Sequence, residues 1–587
     1  MPFKDLQSYL LHLERHKMLQ RVVVEFDPEL EVTEIATRVV REEGPALLFE
    51  NVKGADFPLA INFFGSYKHI EMVLGMHPEE LGEKLADLVE AVSPPSPASL
   101  WKSRPHWGRL LASRPKIVGS GACQEVIEEP DLTKLPIIKS WPHDGGRFIT
   151  FPLVMTRDPE TRMTNLGIYR MHVYNKSQTG MHMQIQKGGG FHYYRAEKRD
   201  QPLELACVLG ADPALMLTGI FPLPEHLEEV MFSGILRKSR TRLTRAKTVD
   251  INVPADAEFI LEGEVPPKER HIEGPFGDHF GHYSDAAPFP VFHIRKITRK
   301  KNAIYPAAVV GKPPQEDRYM GDASQMILKP FIKLIRPEVR DLWAYYEAGF
   351  HNLLVVAVEG RYTKEPIKTA LGLLGEGQLA LAKVLVLVEP TVNVRSFRDV
   401  LRALQRQFDP REDFLLVSRA PLDTLDFTSF KMHLGSKMVL DATGTDGTPH
   451  VGKPLRADPS EIAPGIRRWR LLEDTLLAVQ IDGDADAALE RLVASEALAG
   501  LKIIAAVSPD VDIDDDVSLI WGIFTRFDPA RDLRFTSTSI RGIKPHYEGV
   551  MGIDATWKKG YPEGLEMDEA IKERVNRQWN RYWSPTG

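Results

Sequence analysis

The twelve residues from 271 to 282 hold three histidines, one glutamate and one aspartate, together with three glycines and a proline. This glycine and proline content excludes a regular helix. His279 and His282 are candidate metal ligands, but the glycine between them leaves their geometry undefined, and a solvated loop explains them equally well. Glu273 and Asp278 favour acid/base chemistry, because two carboxylates on a tight turn can approach one cation and can raise the pKa of one of them.

A second polar cluster consists of residues 164–170 and 182–190, which read TNLGIYR and HMQIQKGGG. Its glycines allow a ligand to approach the backbone closely, and Arg170 and Lys187 can bind phosphate or carboxylate. A β-hairpin with a glycine-rich end predicts the same sequence. Both interpretations stay open on these residues alone.

Two common nucleotide sites are excluded. Gly311-Lys312 and Gly452-Lys453 are each followed by proline and lack the upstream glycine spacing, so neither is a phosphate-binding loop. Gln124 stands where a dinucleotide motif that begins at Gly119 needs its third glycine. We therefore assign the segment around Gly119 to a turn.

Composition indicates a multi-domain globular protein that does not bind nucleic acid. The chain has 587 residues, 43% of them hydrophobic, and a formal net charge of -7, whereas a nucleic-acid groove requires clustered basic residues. The basic run 237–247 is interpreted as a solvated face or a salt-bridged strand. Cys123 and Cys207 lack metal spacing and are expected to be buried and reduced. Since neither a signal peptide nor a membrane-spanning apolar stretch is found, we expect a cytoplasmic protein without a transmembrane segment.

The elements that must position these clusters begin with an α/β domain at residues 1–112. Apolar spacing predicts helices near residues 6–13 and 78–92, and a strand at 21–26. Short β-type runs separated by glycine and proline predict a β-rich, barrel-like domain at 113–315.

The C-terminal part contains an internal repeat, which predicts two copies of one α/β unit at 316–460 and 461–587. The recurring segments are 388–392 with 507–511 and Phe408-Asp409-Pro410 with Phe527-Asp528-Pro529, both at an offset of 119, and Asp441-Ala442-Thr443 with Asp554-Ala555-Thr556 at an offset of 113. Only the first copy has the lysine of Gly435-Ser436-Lys437. We infer that only this copy handles an anionic ligand.

The two polar clusters and the segment 435–443, GSKMVLDAT, resemble the signature motifs of the UbiD decarboxylases and occur in that family's order. The similarity runs through residues 5–450, and the second C-terminal copy resembles the terminal segment of longer members, which include menaquinone-biosynthesis decarboxylases. The resemblance implies a multi-domain α+β and α/β fold: an N-terminal α/β domain, a central split β-barrel like that of flavin reductases, and a duplicated C-terminal α/β unit.

The resemblance also implies three groups of site residues. The implied metal ligands are Asn165, Gln186 and Glu229, with Gln186 in the place of a histidine that many relatives have and His182 as an alternative ligand. The implied cofactor contacts are Ile168, Tyr169, Arg170, His182, Met183, Gln184, Lys187, Gly188 and Lys437. The implied catalytic residues are Arg170, Glu273 and Asp278.

The function implied by the resemblance is decarboxylation, reversible in principle, of an aromatic or α,β-unsaturated acid. The implied cofactors are prenylated FMN and Mn²⁺ or another divalent metal, with K⁺ as a further candidate ion, because side chains alone offer no electron sink for this chemistry. Hydroxybenzoate-like and dihydroxynaphthoate-like acids of quinone biosynthesis are the leading substrates. Expected partners are a flavin prenyltransferase and further copies of the chain, in a homodimer or larger homo-oligomer. A flavin reductase-like oxidoreductase and a non-catalytic flavin carrier are the alternatives.

Overall fold

The structure of the protein, a computed structural model, describes residues 3–92, 101, 104, 107–184, 188–223, 227–444 and 455–583. The described residues form two units. The first unit holds those up to residue 278, residues 282–327 and those from 564 onward. The second unit holds residues 279–281 and those from 328 to 563.

The first unit begins with helices around a small mixed sheet. Its elements are α1 (Leu6–Arg15), β1 (Leu19–Val22), α2 (Glu31–Arg41), β2 (Ala46–Phe49), β3 (Leu59–Ile61), α3 (Tyr67–Leu74), α4 (Pro78–Val92) and α5 (Trp107–Ala112). Helix α1 starts where the Asp5 carboxylate accepts the backbone N–H of Ser8, which satisfies an amide that has no partner within the helix. The helices predicted near 6–13 and at 78–92 are confirmed. The strand predicted at 21–26 lies instead at Leu19–Val22.

The central part of the first unit is an antiparallel sheet with short helices. Its elements are β4 (Lys116–Val118), β5 (Val126–Glu128), β6 (Phe148–Ile149), β7 (Leu153–Arg157), β8 (Thr164–Ile168), β9 (Met171–His172), β10 (Gln178–Gly180), α6 (Gly188–Lys198), β11 (Leu203–Leu209), α7 (Pro213–Thr218), α8 (Glu229–Arg237), β12 (Arg242–Arg245), β13 (Asn252–Pro254), β14 (Phe259–Val265), β15 (Arg270–Glu273), β16 (Phe276–Gly277), β17 (Tyr283–Ser284), β18 (Ala287–Arg299) and β19 (Tyr305–Pro306). The main sheet has the order β10-β18-β14-β11-β7-β8, with β5 and β15 also paired to β18, and β19 joins the N-terminal sheet β1-β2-β3.

The predicted split β-barrel is not confirmed, because the main sheet does not close on itself within the described residues. Its edge strands β8 and β10 are separated in the chain only by β9 and do not pair with each other. Between them the chain leaves the sheet, and β9 pairs with β6 instead. The interruption places residues 169–177 beside the sheet, where they carry side chains of the candidate site.

Two smaller expectations for the first unit are confirmed. Cys123 and Cys207 are free thiols and buried. The basic run 237–247 is salt-bridged: Arg237 pairs with Asp212 at 2.6 Å, and a guanidinium on strand β12 binds a neighbouring aspartate.

The second unit contains two five-stranded sheets with one topology. Helix α9 (Asp317–Ile335) leads into it, and its other elements are β20 (Val339–Ala344), β21 (Leu353–Val358), α10 (Glu365–Leu373), β22 (Val384–Val388), α11 (Phe397–Gln407), α12 (Pro410–Asp413), β23 (Phe414–Ala420), β24 (Gly435–Ala442), α13 (Pro459–Ile462), β25 (Ile466–Leu472), β26 (Leu476–Ile481), α14 (Ala485–Ala494), β27 (Ile503–Val507), α15 (Asp516–Phe524), β28 (Leu533–Arg541) and β29 (Lys544–Ala555). The orders are β20-β21-β22-β24-β23 and β25-β26-β27-β29-β28. In each sheet the three inner strands are parallel and both edge strands antiparallel. The shared strand order agrees with the internal repeat, and the two units at 316–460 and 461–587 stay a prediction.

The last helix, α16 (Glu569–Tyr582), belongs to the first unit, although the sequence-based segment 461–587 includes it. It packs on α2, where the Tyr582 hydroxyl donates to Glu31 at 2.6 Å and Arg38 lies over the ring of Trp579. Ile571, Val575 and Tyr582 are the buried residues of this helix. Among the described residues no helix combines the length and apolar character needed to cross a membrane.

The repeat offers a matched stability test. Asp528 of the second copy is buried and accepts the Ser436 N–H at 3.0 Å and the Ser436 hydroxyl at 2.7 Å, whereas its counterpart Asp409 pairs with the exposed Arg411. Asp528→Asn replaces one of the two accepting oxygens with an NH₂ group, which leaves one buried donor of Ser436 without an acceptor. We therefore expect the free energy of unfolding to fall by about 1–3 kcal/mol. Asp409→Asn is expected to cost less than about 1 kcal/mol. Equal losses in denaturant titrations would contradict this account.

Candidate active site

The centre of the candidate site is the guanidinium of Arg170, which follows β8. Its Nε donates to Glu273 Oε1 at 3.0 Å, its Nη1 donates to Asp278 Oδ2, and its Nη2 donates to Ser284 Oγ at 2.9 Å. The guanidinium carbon lies 4.7 Å from the centroid of the Phe276 ring. Because the Arg170 side chain is 7% exposed and that of Glu273 is 0% exposed, this charge network is shielded from water.

A turn and a short hairpin place the acids around Arg170. Glu273 ends β15, and Gly274 turns the chain with φ +94, a conformation that L side chains rarely adopt. Strands β16 and β17 then pair, with Phe276 opposite Ser284. Asp278 directly follows β16, so the hairpin brings both of its ends to the guanidinium.

A third carboxylate, Asp144, ties this hairpin to the preceding loop. Asp144 accepts the backbone N–H groups of Gly277 at 2.7 Å, of Trp141 at 2.8 Å and of Ser140 at 3.1 Å. Burial raises the pKa of Asp144 to about 6. This residue was not predicted from the sequence, since an isolated aspartate in a Pro- and Gly-rich loop resembles an ordinary turn residue.

His182 is a further member of the network. Its Nδ1 lies 2.7 Å from Glu273 Oε1, the oxygen that also accepts the Arg170 bond. Burial raises the pKa of Glu273, but His182 and Arg170 outweigh burial and bring that pKa below its ordinary value. Glu273 is therefore a carboxylate at neutral pH. Two carboxylates therefore share one guanidinium here.

The proposed metal ligands Asn165 and Glu229 lie side by side. Glu229 begins α8, and its Oε2 accepts the N–H of Leu166, the residue after Asn165, at 2.9 Å. Burial raises the pKa of Glu229 to about 7, so a nearby divalent cation would stabilise the carboxylate that burial disfavours. Among the described residues no three His, Cys, Asp or Glu side chains form a metal cluster, and His279 and His282 gain no support as ligands.

Tyr169 and the glycines that open α6 complete this side of the site. The Tyr169 hydroxyl accepts the N–H of Gly189 at 3.0 Å and the Asn165 amide N–H at 3.3 Å. A Cβ on Gly188 would lie 2.0 Å from Asn165 Oδ1, so the helix start is fitted against the amide. A helix start whose backbone N–H groups can face an anion suits a phosphorylated ligand. The oxygens of Asn165 and Glu229 therefore fit a hard metal ion, and the backbone N–H groups at the start of α6 fit a flavin phosphate.

The other residues predicted to contact the cofactor or the metal have different environments. Gln186 and Lys187 lie outside the described residues. Ile168 ends β8, Met183 packs against the core of the first unit, and Gln184 is half-buried.

Lys437 belongs to the second unit, in β24, where its ammonium donates to the carbonyl oxygens of Ala380 and Ala382 at 2.8 Å each. Burial lowers the pKa of Lys437 to about 8. Its contact with a cofactor stays a prediction.

Comparison with known sequences gives matches along most of the chain. Models of the 3-octaprenyl-4-hydroxybenzoate carboxy-lyase (UbiD) N-terminal, Rift-related and C-terminal domains match residues 10–89, 116–313, and 318–442 with 471–555. A 4-hydroxybenzoate decarboxylase subunit from Chlamydia pneumoniae is 37% identical over 98% of both chains. An uncharacterized protein of Archaeoglobus fulgidus is 42% identical over 76% of this chain and 92% of its own length.

Solved structures agree with these sequence matches. The vanillic acid decarboxylase of Sedimentibacter hydroxybenzoicus in closed form superposes with a TM-score of 0.68 at 25% identity, covering 78% of this chain and 95% of that one. The UbiD-class enzyme HmfF of Pelotomaculum thermopropionicum in complex with FMN gives 0.63 at 26% identity, covering 75% and 94%.

The close approach of Gly188 to Asn165 yields a binding test. Gly188→Ala must displace the amide oxygen, so we expect Mn²⁺ affinity, measured by the electron paramagnetic resonance of free Mn²⁺, to fall by about 10–100-fold. Gly119→Ala is the control, because a Cβ there meets nothing within 4 Å. Unchanged Mn²⁺ binding by a folded Gly188→Ala protein would show that Asn165 is not a ligand.

Proposed function

Because the chain belongs to the UbiD family of carboxy-lyases, we propose that it decarboxylates an aromatic or α,β-unsaturated acid with prenylated FMN and a divalent metal ion. The observation that carries this proposal is the buried Arg170, held between Glu273 and Asp278. A flavin carrier has no need of two acids on one buried cation, and a flavin reductase needs a nicotinamide site, for which no motif was found.

Decarboxylation at an sp² carbon leaves an electron pair without a resonance outlet, and prenylated FMN, when bound, supplies the electron sink. Asn165, Glu229 and Gln186 would hold the metal ion, with K⁺ as a further candidate. Tyr169, Gly188 and the other contacts named above, including Lys187 and Lys437, would hold the flavin. The fit of Asn165 and Glu229 to a hard cation supports this assignment.

Arg170 orients the substrate carboxylate. Its guanidinium uses three of its five N–H donors within the described residues, and bonds to both acids fix its plane. Such positioning favours the conformer in which the carboxylate can leave as carbon dioxide.

Glu273 or Asp278 then returns a proton to the carbon that has lost carbon dioxide. Glu273 is buried and, with its lowered pKa, is a strong acid once it is protonated. Asp278 is more exposed, at 13%, and thus closer to the solvent that must replace the proton. We propose Glu273 as the donor and Asp278 as the acid that holds Arg170 while Glu273 is neutral.

A hydroxyaromatic acid is the proposed substrate class. The similar proteins from Chlamydia pneumoniae and Sedimentibacter hydroxybenzoicus carry the names of 4-hydroxybenzoate and vanillic acid decarboxylases, both of which act on such acids. A dihydroxynaphthoate-like acid of quinone biosynthesis is the second candidate. We further propose that a flavin prenyltransferase supplies the cofactor and that the chain forms a homo-oligomer, since symmetric assemblies of identical chains are common among soluble proteins.

The cofactor requirement is directly testable. We expect carbon dioxide release from a hydroxybenzoate-type acid only when the protein contains both prenylated FMN and a divalent metal. Metal removal with a chelator should abolish turnover, and adding Mn²⁺ back should restore it. Full activity with unmodified FMN, or without any flavin, would exclude this mechanism.

The acid/base roles of Glu273 and Asp278 can be tested by replacing each carboxylate with the nearly isosteric amide. Glu273→Gln and Asp278→Asn should retain flavin and metal, while kcat falls by roughly 10²–10⁴-fold, because acid/base function is lost and packing is not. Asp285→Asn is the control, since Asp285 lies in the same segment but is exposed. If both variants have rates within about threefold of the parent at equal flavin occupancy, the cluster is a solvated polar loop without an acid/base role.

A further inference from the structure

Helix α5 exposes its apolar face and buries its charged residue. Trp107, Leu110 and Leu111 recur at positions i, i+3 and i+4, which places them on one face, and they are 44%, 38% and 71% exposed. Arg109 lies on the opposite face and is buried. A helix on the surface of a globular protein normally turns its apolar face toward the core. Helix α5 therefore reverses the usual pattern.

Arg109 fixes this orientation of the helix. Its Nη1 donates to the carbonyl oxygens of Ile235 at 2.8 Å and of Leu236 at 3.1 Å, in the last turn of α8. The last carbonyl groups of a helix have no partner within it, so the buried guanidinium satisfies two of them. A Cβ on Gly234 would lie 2.1 Å from the carbonyl oxygen of Ala112, so the two helices approach closely. Turning the apolar face inward would break these bonds.

The chain around α5 is positively charged. Residues 91–124 contain five Lys or Arg and no Asp or Glu, and residues 230–249 contain six and likewise no acid. The two segments meet where β4 pairs with β12 and where Arg240 donates to the carbonyl oxygens of Arg114 and Pro115 at 2.8 Å each. Because the whole chain has a formal net charge of -7, this excess of positive charge is a local feature.

Part of this charge is not balanced by carboxylates. Arg237, Arg242 and Arg245 form ion pairs with aspartates. The pKa of Lys238 is lowered, chiefly by the charge of Arg109, so the field at this point is positive. Four basic side chains near α5 are exposed and form no ion pair within the described part of the chain: Arg114, Lys116, Lys238 and Arg240.

We propose that the α5 surface, which consists of Trp107, Leu110, Leu111 and these four basic residues, docks the protein on a membrane of anionic phospholipid. The three apolar side chains enter the boundary between headgroups and acyl chains, and the basic side chains bind lipid phosphates. Tryptophan and leucine beside Lys and Arg are typical of helices that lie in this boundary. The docking is peripheral, because a helix of six residues is too short to span a bilayer.

Nucleic acid and a second copy of the chain fit the α5 surface less well. A phosphate backbone can bind the basic residues, but leucine side chains neither stack on bases nor pair with them, so both leucines would stay exposed. Two copies of the surface packed on each other would bring the basic residues of both chains together without acids. An anionic bilayer satisfies the apolar face and the charges at once. Docking needs neither flavin nor substrate and is independent of the proposed function.

The test is flotation of the full-length chain with vesicles of phosphatidylethanolamine and phosphatidylglycerol, with phosphatidylcholine vesicles as the neutral comparison. The parent should bind the anionic vesicles at least about tenfold more tightly, and added salt should weaken this binding. Leu111→Gln should lower the partition coefficient by about fivefold or more, and Lys116→Glu by about tenfold or more. Leu371→Gln and Lys559→Glu are the matched controls, since they change an exposed leucine and an exposed lysine of the second unit. Both should bind like the parent.

The other outcomes overturn the proposal in different ways. A parent that does not bind anionic vesicles excludes docking, and unchanged binding by both α5 variants excludes this surface. Loss of binding in Lys116→Glu alone shows adsorption by charge without insertion of α5. Binding of a DNA oligonucleotide but not of vesicles, lost in Lys116→Glu, identifies a nucleic-acid surface. A lower mass of Leu111→Gln than of the parent in light scattering identifies an interface between copies.

Discussion

The buried guanidinium of Arg170 is the interaction on which the rest of the site depends. A charge removed from water is stable only when it is paired and hydrogen-bonded, and Arg170 meets this need with two acids, a hydroxyl and an aromatic face. Each acid is in turn tolerated only because the guanidinium is present. Loss of the arginine would leave two carboxylates facing one another, at a cost of about 3–5 kcal/mol. The pairing that stabilises the buried charges is therefore also the pairing that the proposed reaction uses.

Breaks in the regular secondary structure position the residues around Arg170. The main sheet stays open between β8 and β10, and the segment that leaves it carries Tyr169, Arg170 and Tyr174. Asp144 then fixes the hairpin of β16 and β17 through backbone amides. The second unit instead uses one sheet topology twice. Only the first copy has a lysine at the position of Lys437, where the second copy has Val550.

Local sequence predicted the elements well and the site only in part. The limits of α4 follow from a helical pattern within one segment, and the internal repeat follows from repeated residues. The Arg170 network could not be predicted from local patterns. Arg170 lies 103 residues from Glu273 and 108 from Asp278 in the sequence, and periodicity carries no information at that range. Family resemblance joined these three residues. Asp144 and the bond from His182 to Glu273 required coordinates, since their partners are backbone amides and one particular carboxylate oxygen.

The most direct test of the central claim is a double-mutant cycle on kcat/KM between Glu273→Gln and Asp278→Asn. If the two acids act through one guanidinium, removing the second after the first should cost little, so the double variant should lose scarcely more activity than the poorer single variant. Losses that multiply would show that the acids work independently. That result would contradict the account of Arg170 as the shared centre of the site.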